Sequence, residues 1–69
     1  MELAEKKKAI RVSMAKEGLT NLEQIRKFTT LAKPTFYKQW NAWTFRIDEL
    51  KRICDGLNMT TEERGRLLE

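Results

Sequence analysis

The amino-acid sequence predicts an all-α fold, and three observations predict it. A single proline and three glycines leave few residues for hairpin turns, and no stretch alternates apolar and polar residues for long. Apolar residues instead recur at three- and four-residue spacing along five successive segments. Two tetrapeptides, TNLE and TTEE, carry the signature of a helix-starting capping box. A chain of 69 residues is one domain, residues 1–69. At this size about 60% of the unfolded chain's surface is buried on folding, so the core is small.

The first helix is expected in ELAEKKKAIRVSMAKE, where Leu3, Ile10 and Met14 share a face and Val12 falls off it. Glu2 and Glu5 suit its positive start, and Gly18 is a natural stop. In TNLE the Thr20 hydroxyl is placed to accept from the Glu23 amide, so a second helix starts near Asn21 and carries Leu22, Ile25 and Phe28. Pro34 belongs in a first helical turn, where it loses no backbone partner, and sets the start of a third helix near residues 32–34. Phe36 and Trp40, four apart, form the buried side of that helix. Lys33, Thr35, Lys38 and Asn41 are left facing other directions, with Tyr37 at the border. RIDELKRICDGL predicts a fourth helix with Ile47, Leu50, Cys54 and Leu57 on one stripe, Ile53 beside it and Asn58 as a left-handed stop. A closing helix follows the Thr60–Glu63 box and contributes Leu67 and Leu68. Loops of two to five residues are expected between these helices.

Composition excludes several classes. One cysteine and no histidine provide neither a disulfide nor a zinc site, which fits a reducing, cytoplasmic setting. No apolar run is long enough for a membrane span, and the lysine-rich start lacks the features of a signal peptide. No glycine-rich phosphate loop, metal-ligand cluster or nucleophile beside a base is present, so no enzyme, cofactor or small-molecule substrate is expected. Cys54, on the apolar stripe, is a small buried group.

Charge is unevenly spread. Residues 24–47 hold Arg26, Lys27, Lys33, Lys38 and Arg46 and no acid, whereas the flanking thirds mix both signs. Such a patch attracts polyanions, nucleic acid foremost. The second and third helices are separated by TTLA, too short for antiparallel packing and suited to a steep crossing. That is the pattern of a helix-turn-helix, here at about residues 21–41, whose second helix enters the DNA major groove.

The stretches LEQIRKFTTLAKPTFYKQW and FRIDELKRICDGLNMTTEE resemble the phage-repressor and Cro-like helix-turn-helix proteins, the lambda-repressor-like family, over about residues 8 to 66. The resemblance implies a compact five-helix DNA-binding domain and a phage or prophage-type transcriptional regulator, repressor-like in kind. It places Ile25 on the family's buried leucine, Leu31 on the apolar residue after the turn and Phe36 on the residue that packs the recognition helix to the core. Lys33, Pro34, Thr35, Tyr37 and Lys38 fall on DNA-facing positions. It also implies a homodimer on a palindromic operator, one unit per half-site. Three positions depart from the family: Thr30 replaces the usual turn glycine, Arg26 a small alanine and Ala32 the hydroxyl cap of the recognition helix. A wider turn is therefore expected.

Lysine donates to guanine edges or to phosphates, and both stay open for Lys33 and Lys38. Thr35 lies in the first turn, where base contact is favoured, and Gln39 has the chemistry to pair with adenine. Tyr37 stacks on a sugar, donates to a phosphate or covers the core edge, and the three stay open. Asn41 and Arg46 are candidate backbone clamps, the latter beside a helix start that favours phosphate. Trp43 has three alternatives: packing, phosphate contact or an interface. Lys6, Lys7 and Lys8, diluted by Glu2, Glu5 and Glu17, read as a solvated face. Met59, Leu67, Leu68 and the exposed part of Trp43 are candidate dimer contacts. The alternative function is a protein-interaction module whose basic face docks an acidic protein.

Overall fold

The computed structural model describes residues 2–68. Among them it contains five helices and no strand: α1 (Leu3–Lys16), α2 (Leu22–Arg26), α3 (Lys33–Ala42), α4 (Ile47–Gly56) and α5 (Thr61–Leu67). Local chemistry sets the helix ends. α5 begins at the predicted box, with the Glu63 amide donating to Thr60 Oγ1 at 3.2 Å and the Thr60 amide donating to Glu63 Oε1 at 2.8 Å. The α2 box lies one residue beyond the expected one. Asn21 Oδ1 accepts from the Gln24 amide, and Gln24 Oε1 accepts from the amides of both Asn21 and Thr20. The expected Thr20–Glu23 pair does not form, because Arg26 takes the Glu23 carboxylate.

Three helices end the same way. After α1, α3 and α4 the residues Gly18, Trp43 and Asn58 adopt left-handed backbone, with φ of 74°, 54° and 53°. In each case the next amide donates back to a carbonyl in the last turn: Leu19 to Met14 at 2.8 Å, Thr44 to Gln39 at 3.0 Å and Met59 to Cys54 at 3.1 Å. These are Schellman closures, which satisfy carbonyls the helix leaves open. Asn58 is the predicted stop.

Every helix contributes to one core: Ile10 and Met14 from α1, Ile25 from α2, Phe36 and Trp40 from α3, Ile53 and Cys54 from α4, and Leu67 from α5. Leu57 and Met59 add to it from the connection after α4. α1 packs on α5, and α2 packs on both α3 and α4. Two predicted stripe residues stay outside: Leu3 is 43% exposed and Ile47 60%. Each is the first residue of its helix, where the side chain leans toward the N-terminus and beyond the core. The α2–α3 connection spans residues 27–32, longer than the expected loops.

Gly56, in the last turn of α4, lies under the Phe28 ring. A Cβ there would stand 2.3 Å from Phe28 Cγ. On helix propensity alone Gly56→Ala would stabilise by roughly 0.5–1 kcal/mol. The clash reverses the sign, and we predict a net loss of about 1 to 3 kcal/mol. Urea unfolding checks this; a stabilised variant would contradict the Phe28–Gly56 packing.

Candidate nucleic-acid interface

α3 is oriented by its aromatic residues. Phe36 is fully buried and Trp40 only 5% exposed. Trp43 and Phe45, brought back by the left-handed turn, complete a chain of rings: Phe36–Phe45 at 5.5 Å, Phe45–Trp43 at 5.7 Å and Trp43–Trp40 at 5.6 Å. Of the three alternatives for Trp43, packing is what these contacts describe. With that side inward, Lys33, Pro34, Thr35, Lys38 and Asn41 are all exposed. Tyr37 is half-buried, edge-on to Phe36 at 5.4 Å.

Gln39 differs from its neighbours. It is half-buried, and its Oε1 is enclosed without a hydrogen-bond donor, so its amide does not join the outward face. Arg46 is exposed just before α4, with Nε 3.6 Å from Asp48 Oδ1. Both groups of that pair lie in solvent, where such contacts contribute little. Neither Lys33 nor Lys38 makes an ion pair among the described residues.

The connection before α3 is braced by Arg26 and Thr30, two of the positions that depart from the family pattern, together with Glu49 and Thr29, which the sequence pattern did not single out. Glu49 on α4 is only 4% exposed, and its carboxylate accepts from both the amide and the hydroxyl of Thr30. Arg26 Nη1 donates to the Leu31 carbonyl at 3.2 Å, while the Thr29 hydroxyl donates to the Arg26 carbonyl and accepts from the Leu31 amide. Thr30 avoids positive φ, as a β-branched residue should, and the longer connection makes that possible. Ala32 provides no side-chain cap, leaving the first-turn amides of α3 without a side-chain acceptor.

Arg26 does not belong to the open positive field. Its guanidinium holds Glu23 at 2.5 to 2.6 Å. This hydrogen bond keeps the Glu23 carboxyl below the usual range; burial opposes the effect, and the charges of Arg26, Lys33 and Lys27 reinforce it. The exposed cations of the acid-free segment are therefore Lys27, Lys33, Lys38 and Arg46.

The proposed dimer contacts Met59 and Leu67 are consumed by the domain's own core, at 5% and 1% exposure, and Leu68 is half-buried. Cys54 is also buried, and burial pushes its thiol upward, away from nucleophilic character. No group of three or more Cys, Asp or Glu residues is placed to hold a metal among the described residues, and no helix is long and apolar enough to cross a membrane. No protein-family model, curated protein or solved structure matches the chain.

Two outcomes follow from the bracing and the carboxylates. Glu49→Ala leaves the Thr30 amide and hydroxyl without their acceptor and is expected to cost about 2 to 3 kcal/mol in urea unfolding. A cost within experimental error would remove the brace. Glu63, like Glu23, titrates below the usual range, here through the Thr60 backbone hydrogen bond first and the Thr60 side chain second. Groups with depressed folded-state values contribute stability that is present above about pH 4.3 and lost as pH falls through their folded values. Glu23→Gln and Glu63→Gln should therefore lose less stability than the parent between about pH 5 and pH 2.5; equal losses would contradict both assignments.

Proposed function

We propose that the chain binds double-stranded DNA with sequence preference, as a phage or prophage-type transcriptional regulator of the lambda-repressor-like kind. In this proposal α2 and α3 act as the helix-turn-helix, and α3 lies in the major groove. The observation that carries it is the outward face of α3, where Lys33, Thr35 and Lys38 stand exposed and no acid interrupts them. An acid-free, two-lysine helix face matches the chemistry of base edges and phosphates.

Each residue then has a role. Lys33 and Thr35 in the first turn, and Lys38 one turn later, meet base edges or the phosphates beside them. Pro34 offers an apolar edge suited to a thymine methyl. Tyr37 lines the flank. Asn41 and Arg46 meet the backbone, and the uncapped amides at the start of α3 favour a phosphate nearby. Gln39 reads a base only if its amide leaves the enclosed position described above. The longest dimension of the domain is 29 Å, shorter than the roughly 34 Å of one duplex turn, so one copy covers one half-site. A symmetric pair on a palindrome is the matching assembly, in a reducing cytoplasmic compartment, with no catalytic role.

The test is selection of bound duplexes from a random pool, followed by titration of the selected site at several salt concentrations. Lys33→Ala and Lys38→Ala should each weaken binding by about 1 to 3 kcal/mol and relax preference at one position if the lysine reads a base. A phosphate contact instead gives a uniform loss and a shallower salt dependence. Unchanged affinity in both variants removes α3 from the site. No retardation of random duplex at low salt, even at roughly tens of micromolar protein, overturns DNA binding and favours an acidic protein partner.

A further inference from the structure

We infer that the duplex-binding surface continues from α3 onto α1, where Lys7 and Arg11 contact phosphates across the groove from those nearest Lys33. The inference rests on the DNA-binding proposal above and adds a second anchoring wall to it.

The sequence alone made Lys6, Lys7 and Lys8 a solvated run diluted by acids. Folding separates these charges. Lys7 Nζ donates to the Asn41 carbonyl at 3.2 Å, which fixes it at the C-terminal end of α3. Lys7 and Arg11 both lie over the Trp40 ring, at 5.8 and 5.9 Å from its centroid. Their flank of α1 forms a shallow depression lined by Ala4, Lys7, Lys8, Arg11, Val12 and Ala15, with no acid in it. Glu5 sits on the other flank, where it lines a second depression with Glu63 and Arg66, the two depressions meeting at Lys8 and Val12.

Spacing makes the flank useful. Asn41 follows Lys33 by eight residue steps, about 12 Å along a helix axis. The major groove is about 12 Å wide. A helix inserted there with a cation at each end places one at each phosphate wall: Lys33 at the first, Lys7 and Arg11 at the second. The ammonium of Lys7 keeps two donors after meeting Asn41. Both charged ends lie over the Trp40 ring, so they are held before DNA arrives and lose less freedom on binding.

The double variant Lys7→Gln/Arg11→Gln is titrated against the selected duplex and a scrambled one over a range of salt. The slope of log K against log salt should fall by roughly 1.8, two contacts at about 0.9 each, with the ratio between the two duplexes unchanged. The charge-preserving Lys7→Arg/Arg11→Lys variant should keep the parental slope. An unchanged slope in the glutamine variant, beside normal binding by the parent, overturns the inference and leaves the α3 proposal standing. If the parent binds neither duplex, both fall together. Because Lys7 and Arg11 also cover Trp40, a second measurement uses the unaltered protein. Single methylphosphonate linkages, which carry no charge, are scanned along the selected duplex. Losses on both phosphate walls support the inference, and losses on one wall overturn it.

Discussion

The burial of Phe36 and Trp40, one helical turn apart, is the constraint from which the rest of the candidate site follows. Placing those two rings against the core fixes the rotation of α3 about its axis, and that rotation exposes Lys33, Thr35 and Lys38. The chain then has to reverse at once so that Phe45 and Trp43 can close over the same rings. Trp43 does this with left-handed backbone, which costs an ordinary residue roughly 1 to 2 kcal/mol. Its two edge-on ring contacts, to Trp40 and Phe45, contribute about 0.5 to 1.5 kcal/mol each beyond area burial. The contacts are thus large enough to hold the strained turn.

A second layer of interactions decides which charges remain available. Glu23 on one side and Asp48 and Glu49 on the other are the acids that border the acid-free segment in sequence. Asp48 is exposed beside Arg46 at the start of α4, whereas Glu23 and Glu49 are used internally. Glu23 is taken by Arg26, and Glu49 points inward to the Thr30 amide and hydroxyl. The same contacts brace the α2–α3 connection, so one set of hydrogen bonds both shapes the turn and leaves the lysines of α3 without acidic partners. Lys7 extends this economy from the opposite end, tying α1 to the last turn of α3 through a backbone carbonyl.

Most of the fold was legible because its determinants are local. Apolar spacing gave the five helices, Pro34 the start of α3, Asn58 a left-handed stop and Thr60–Glu63 a cap. The α2 cap was misregistered by one residue because Thr20 and Asn21 are both good caps, and only the competition of Arg26 for Glu23 separates them. The outward set on α3 was visible from the two aromatic positions. Gln39 was not, since its enclosure depends on packing around the end of the helix. The burial of Glu49 depends on a partner 19 residues earlier, and the position of Lys7 on one 34 residues later. No local pattern encodes such contacts. Met59 and Leu67 looked like spare apolar surface only because a core of this size draws on every helix and on the connections between them.

The account stands on the outward face of α3 being the surface that meets a duplex. Amide chemical-shift mapping of the isotopically labelled protein, titrated with short duplex DNA at low salt, tests this most directly. The predicted result is a set of perturbations concentrated at Lys33 to Lys38, Asn41 and Arg46, continuing onto Lys7 and Arg11, with the α5 amides unmoved. Perturbations centred on α5 or on the exposed side of α4, with the α3 amides silent, would contradict it.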